Sequence, residues 1–201
     1  LPDDVSLKMG CLLEPTSIAV RAMDKADIKF GQRVAICGGG PIGLFTLQAV
    51  SLSGATDITL IEPIAERRDL ARKFGASHVV DPADENVKAA AERITGGLGF
   101  DVVFDCSGSV KAVRDLPYIT AKGGKLLYCA MYPNDYEMPL NLYKFCYYNE
   151  ITISGLYVAP YAFPRALQIL PRMRYDDFIT KVFDLEDAEA AFEAQITGKW
   201  P

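Results

Sequence analysis

Histidine is nearly absent. His78 is the single one, and Val79 and Val80 follow it, so it reads as the start of a strand and not as a metal ligand. No Cys-x-x-Cys pair occurs among Cys11, Cys37, Cys106, Cys129 and Cys146, which excludes a structural zinc lobe and a thioredoxin-type redox site. Cys37, Cys106 and Cys129 fall in or beside apolar runs. All five cysteines read as reduced thiols of a cytoplasmic protein, with Cys11 a packing residue rather than a ligand. No basic block interrupts a chain of net charge -5, so no nucleic-acid partner is expected. No apolar run approaches the ~20 residues that a membrane helix needs, so no membrane partner is expected either. The opening Leu1-Pro2-Asp3-Asp4 lacks the basic and apolar regions of a signal peptide.

What the chain does have is alternation. Half of its 201 residues are hydrophobic, enough for one domain with a full core. Short apolar runs at 33–37, 57–61, 78–80, 101–105, 125–129 and 150–156 read as strands. Helical patterns at 41–53, 65–74, 86–94 and 109–120 separate the first five, with Gly75 stopping the second of these helices. Runs that are apolar throughout, rather than every second residue, belong to strands buried on both faces. Strand, helix and strand in that rhythm imply right-handed crossovers and a parallel sheet. The expected fold is therefore α/β, a three-layer doubly wound six-stranded sheet of the Rossmann type in the order 3-2-1-4-5-6. A helix over 16–25 leads into the first strand. Two more helices follow the last strand, at 164–173 and at 185–196, the latter with a capping start at Asp184.

Gly38-Gly39-Gly40-Pro41-Ile42-Gly43 reads G-x-G-x-x-G after a strand and at the start of a helix. The first glycine permits the tight turn, the second lets backbone approach a pyrophosphate, and the third lets helix and strand pack closely. The helix presents its unpaired N–H groups and positive dipole end to the anion, and Pro41 suits its first turn. Glu62 ends the second strand, roughly 20 residues on, where a carboxylate hydrogen-bonds the adenosine ribose and repels a 2′-phosphate. That favours NAD over NADP. Arg67 could contact the ribose region, or a phosphate if both dinucleotides are used; with Arg68 beside it, it could equally be a surface charge.

Several motifs in order resemble the medium-chain dehydrogenases. They are Leu12-Leu13-Glu14-Pro15, Gly31-Gln32-Arg33-Val34, the glycine turn, Asp101 to Gly108, and Lys122-Gly123-Gly124. Within that superfamily the chain is most similar to the zinc-type sorbitol, threonine and polyol dehydrogenases. The resemblance implies that Cys106, Ser107 and Gly108 run beside the nicotinamide ribose. It implies that Ala130, Met131 and Tyr132 pack near the carboxamide, and that Leu156 and Tyr157 approach the nicotinamide. Glu14 resembles the position at or beside the last catalytic zinc ligand, where zinc would act as a Lewis acid on the substrate hydroxyl. The remaining ligands are expected on an N-terminal catalytic domain that this chain does not contain.

The resemblance thus implies an NAD- and zinc-dependent enzyme that oxidises a secondary alcohol to a ketone, with this piece inactive by itself. Residues 1–30 are expected to connect to the catalytic domain, 31–160 to bind NAD, and 161–201 to return toward the catalytic domain. A zinc-free, NADPH-using quinone-reductase relative is an alternative that Glu62 and Glu14-Pro15 oppose. A short-chain reductase would need Tyr118 and Lys122 on one helix face, and Lys122 lies in a Lys-Gly-Gly turn. A non-catalytic NAD-binding module is the third alternative. The strand at 150–156 would be an edge without proline or lysine to blunt it, so pairing into a homodimer or larger homo-oligomer is expected.

Overall fold

The computed structural model describes residues 1–3 and 5–197. The last four residues of the expected 161–201 segment and Asp4 of the opening motif lie outside them. Helices α1 (Leu7–Gly10) and α2 (Leu13–Ala26) precede strand β1 (Arg33–Cys37). Then follow α3 (Pro41–Ser51), β2 (Asp57–Ile61), α4 (Ala65–Lys73), β3 (His78–Val80), α5 (Val87–Thr95) and β4 (Phe100–Asp105). A short helix α6 (Leu116–Ile119) leads into β5 (Thr120–Tyr128), and β6 (Thr152–Gly155), α7 (Phe163–Ile169) and α8 (Ala188–Thr197) complete the order. The six strands form one all-parallel sheet in the order β3-β2-β1-β4-β5-β6, as the sequence predicts.

Alternation along β1 explains the two covered faces. Successive side chains of a strand point to opposite sides. Val34 and Ile36 enter one core with Leu44 and Leu47 of α3 and Ala71 of α4. Ala35 and Cys37 enter the other with Ala90 and Ala91 of α5 and Leu116 of α6. Helix boundaries follow local chemistry. Asn86 caps α5, its Oδ1 accepting from the N–H groups of Lys88 and Ala89 at 3.0 and 3.2 Å. Gly75, at φ +105°, ends the turn after α4 where a side chain would be strained.

Four expectations are corrected. The single helix over 109–120 is instead a 3-10 turn at Ala112–Arg114 followed by α6. Pro117 has no N–H and would clash with a carbonyl one turn earlier, so the chain restarts with Pro117 in a new first turn. The Lys122-Gly123-Gly124 turn lies inside β5 as a bulge. Thr120 pairs with Phe100, and regular pairing resumes only at Lys125 opposite Val102. Strand β6 is shorter than 150–156, because Glu150 sits at φ +53° and cannot extend the ladder. Asp184 makes no side-chain cap, and a 3-10 turn at Leu185–Asp187 opens into α8. A π-helical stretch at Tyr143–Tyr148, which no sequence signal announced, bridges β5 and β6.

Two features mark the periphery. Helix α7 is tied back to α2 by Arg165, whose guanidinium donates to both carboxylate oxygens of Asp24 at 2.7 and 2.6 Å. That guanidinium holds the Asp24 carboxyl below its ordinary value. β6 is the sheet's outer strand, with Thr152 and Gly155 exposed. Among the described residues, no helix is long and apolar enough to cross a membrane.

Candidate functional site

The glycine turn sits where the sequence places it, between β1 and α3. Gly38 has φ +99°, and a Cβ there would lie 2.8 Å from the Ser107 backbone. Gly43 packs so closely that a Cβ would overlap the Gly38 carbonyl oxygen. Gly40 differs: a Cβ there would meet nothing within 4 Å, because this position borders open space. Gly40 is the N-cap of α3, with no side-chain cap, and Pro41 follows in the first turn. The first N–H groups of α3 therefore have no side-chain acceptor at the cap. Pro41 is exposed and Ile42 half-buried at this mouth.

A cavity of about 730 Å³ runs from Gly38 and Gly40 along the C-terminal ends of β1, β2 and β4. Glu62, Arg67, Asn86, Ser107 and Lys111 line it. This is the crevice where doubly wound sheets bind ligands. Asn86 stands in the sequence only as the first residue of a helical pattern, and Lys111 carries no signal. Glu62 is 3 % exposed, yet both of its oxygens are in use. Oε2 accepts from the Gly39 N–H at 2.6 Å and Oε1 from the Ile64 N–H at 2.9 Å. The carboxylate thus holds the glycine turn and the end of β2 in fixed relation. Each oxygen still has a second lone pair for a hydroxyl donor.

The two adjacent arginines separate clearly. Arg68 donates to the carbonyls of Glu62 and Pro63 at 2.8 and 2.7 Å and pairs with Asp81 at 2.8 Å. It is a structural tie between β2 and β3. Arg67 lines the cavity, and its buried Nε has no hydrogen-bond partner among the described residues. Arg67 makes no tie of this kind, and its guanidinium stands on the cavity wall.

The loops after β4 and β5 meet at the same end of the sheet. Asp105 is fully buried. Its Oδ1 accepts from Ser107 Oγ at 2.7 Å and from the Ser107 N–H at 3.1 Å. Its Oδ2 accepts from the Tyr132 hydroxyl. Burial, then the hydrogen bond to Asp105, pushes the Tyr132 hydroxyl well above the usual phenol range. Burial and the nearby Asp105 charge push Cys37 up to about 12, and burial with the same charge pushes Tyr128 up to about 12. A hydrogen bond to Cys129, then burial, raises Cys106. None of the raised thiols is a ready nucleophile, since the thiolate is the reactive form.

The other expected site residues are more scattered. Ala130 is half-buried and Met131 is 91 % exposed. Leu156 packs against the core beside β1, while Tyr157 is 86 % exposed. Tyr118 lies in α6 and Lys122 in the β5 bulge, so they share no helix face. His78 is an exposed strand residue facing Asp57 at 3.7 Å. Cys11 is exposed, not packed, its thiol directed to the Leu7 carbonyl. Glu14 is exposed in the first turn of α2. Among the described residues no three His, Cys, Asp or Glu side chains stand close enough to hold a metal ion. The donors present therefore do not fit zinc, since a lone carboxylate leaves three of its four positions unfilled.

The family model for zinc-binding dehydrogenases matches residues 41–172. D-xylulose reductase of Saccharomyces cerevisiae is 33% identical over 200 residues, covering 96% of this chain and 55% of the yeast protein. Sorbitol dehydrogenase of Rattus norvegicus is 30% identical over 98% of this chain and 56% of its own. The crystal structure of 2R,3R-butanediol dehydrogenase from Bacillus subtilis superposes with a TM-score of 0.87 at 32% identity, covering 98% of this chain and 56% of that one. The chain thus spans about half the length of the curated relatives it matches.

Proposed function

The chain belongs to the zinc-binding dehydrogenase family, and from that premise we propose that it is the NAD-binding part of an oxidoreductase that converts a secondary alcohol to a ketone. The substrate class is a polyol, a sugar alcohol or a threonine-like alcohol. One observation carries this reading: a buried carboxylate, Glu62, and a side-chain-free approach at Gly40 share one cavity at the C-terminal edge of a parallel sheet. NAD, when bound, supplies the hydride acceptor, and the protein's part is to hold and orient it.

The residues divide by what each offers. Gly38, Gly40 and Gly43, with Pro41 and Ile42, shape the turn that receives the pyrophosphate at the start of α3. Glu62 accepts hydrogen bonds from the adenosine ribose, and the Arg67 guanidinium stands on the same cavity wall. Cys106, Ser107 and Gly108 border the nicotinamide ribose. Ala130, Met131 and Tyr132 border the carboxamide, and Leu156 and Tyr157 the nicotinamide ring. Glu14 by itself does not make a zinc site, and no step here runs through that metal.

Residues 31–160 form the NAD-binding domain in this reading. Residues 1–30 and 161–201 face the part of the protein that carries the substrate pocket. The exposed Phe192 and Ile196 of α8 and Leu185 before it support that placement, since such apolar surface marks an interaction site. The five free cysteines fit a reducing compartment, the cytoplasm.

A carboxylate facing a 2′-phosphate is repelled by about 4 kcal/mol per unit charge at 4 Å and an effective dielectric of 20. Even a fraction of that gives at least about tenfold discrimination. Calorimetric titration should therefore show NAD binding at least about tenfold more tightly than NADP. NADP binding as tightly as NAD would overturn the selector role of Glu62 and shift weight to Arg67. Binding of neither would overturn the cofactor reading itself.

Assembly follows from the uncapped edge. Strand β6 has open hydrogen-bonding groups and no proline or lysine in Thr152–Gly155. We propose pairing of this edge across a two-fold axis to give a homo-oligomer. The Leu156 N–H donates to Tyr128 of β5, so by alternation the Gly155 N–H faces the free edge. Sedimentation should give at least twice the chain mass, and a Gly155→Pro variant, which removes that edge donor, should shift it toward monomer. A monomeric parent at micromolar concentration would count against the pairing.

A further inference from the structure

We propose that Asp105 and Tyr132 form a latch that joins the loops after β4 and β5 into one rigid shelf, and that the two are positioning residues for the nicotinamide half of the dinucleotide. The inference rests on the NAD-binding role and adds to it a division of labour. The Tyr132 hydroxyl acts through Asp105, to which it is committed.

Three observations bring the loops together. The Asp105 carboxylate is fully buried and engaged by both loops, through Ser107 on one and Tyr132 on the other. A carboxylate accepting three hydrogen bonds inside the protein fixes its partners' geometry, because each bond to a buried charge is worth more than one to a neutral group. Second, Gly108 lies at φ +63° with its missing Cβ only 2.7 Å from the Met131 carbonyl oxygen, so the loops also touch backbone to backbone. Third, Tyr132 is held from outside. Its ring stacks on Tyr136 at 5.6 Å between centroids and meets Tyr128 edge-on at 6.4 Å. The Tyr128 hydroxyl is buried with no hydrogen-bond partner among the described residues, so Tyr132 is the phenol of this cluster that the carboxylate selects.

The arrangement leaves the adenosine side alone. The Glu62 carboxylate is held by Gly39 and Ile64, and the Asp105 carboxylate by Ser107 and Tyr132, so the two share no hydrogen-bond partner. Loss of the latch should therefore loosen one half of the dinucleotide site and spare the other. A general loss of structure would weaken both.

The test compares two probes, NADH and ADP, on the parent chain, Tyr132→Phe and Asp105→Asn. ADP carries the adenosine and the pyrophosphate but neither the nicotinamide nor its ribose. The fluorescence of bound NADH reports the nicotinamide surroundings. Tyr132→Phe removes one hydroxyl and keeps the ring stack. It should weaken NADH by about tenfold and reverse the emission change on binding, with ADP affinity within about twofold of the parent. Asp105→Asn should follow the same pattern, and Tyr132→Phe carries the test if the buried substitution prevents folding. Equal weakening of both probes would overturn the latch, as would no change in either. A parent that binds NADH no more tightly than ADP would overturn it too, while leaving the NAD reading intact. A parent that binds neither probe would overturn the NAD reading and the latch with it.

Discussion

Gly43→Ala is expected to lower the thermal midpoint by about 4–8 °C and dinucleotide affinity at least tenfold, whereas Gly40→Ala should lower affinity alone. The two glycines belong to one motif but do different things. At Gly43 the added methyl would overlap the carbonyl oxygen of Gly38, a main-chain atom. Relief requires α3 to move away from β1. Overpacking of this kind costs about 1–3 kcal/mol, and alanine's better helix propensity returns no more than about 1 kcal/mol. A net loss of about 2 kcal/mol corresponds to a shift of roughly 2–4 °C per kcal/mol for a domain of this size. Movement of α3 also misdirects the N–H groups at its start, and with them the anion site. At Gly40 the backbone is extended, with φ −70° and ψ −178°, and nothing stands within 4 Å of the new methyl. The fold should tolerate it within about 3 °C, since an N-cap glycine exchanged for alanine loses on the order of 1 kcal/mol or less. The methyl would then occupy the space a pyrophosphate needs. Scanning calorimetry and NAD titration on both variants separate the two effects. A Gly43→Ala protein as stable as its parent would refute the packing account. Unimpaired NAD binding by Gly40→Ala would move the pyrophosphate elsewhere.

The fold was legible because its physics is written locally. Uniformly apolar strands, helices of the right length between them and glycine at each tight corner left one sheet order to choose. What the sequence did not reveal depends on contacts between distant segments. The helix expected over 109–120 fails at Pro117, a local cue that was outweighed by the apolar pattern around it. The bulge in β5 carries a visible Gly-Gly pair, but only the pairing of Thr120 with Phe100 shows that the strand begins before it. The site divides in the same way. The glycine turn and Glu62 follow from spacing along one crossover unit. That Arg68 is structural and Arg67 unpaired follows from Asp81, just past the end of β3, which no spacing rule supplies. The Asp105–Tyr132 contact joins the ends of two strands, and its sequence trace is only an aspartate ending one apolar run and a tyrosine past another.

Glu62→Ala should have the largest effect on cofactor choice, turning at least about tenfold preference for NAD into parity or a preference for NADP. The substitution acts twice. It removes the acceptor of the Gly39 and Ile64 N–H groups, at 2.6 and 2.9 Å, in a place that is 3 % exposed. Hydrogen bonds to charged groups contribute about 1.5–3 kcal/mol each, so a loss of roughly 3–6 kcal/mol in stability is expected for the two. It also removes the acceptor for the ribose hydroxyls and the charge that repels a 2′-phosphate, while the positive Arg67 guanidinium still lines the cavity. NAD affinity should fall by about one to two orders of magnitude, at about 1.4 kcal/mol for each factor of ten. NADP affinity should fall much less or rise, because the lost repulsion offsets the loosened turn. The ratio of the two affinities is what decides, since a merely softened corner weakens both ligands together. Arg68→Ala provides that comparison. It releases the Glu62 and Pro63 carbonyls and Asp81 without altering the cavity's charge at Glu62, so it should cost stability and leave the ratio unchanged. If Glu62→Ala also leaves the ratio unchanged, the carboxylate is a brace for the glycine turn and nothing more. If the ratio moves in Glu62→Ala and not in Arg68→Ala, the same carboxylate both braces the turn and selects the dinucleotide.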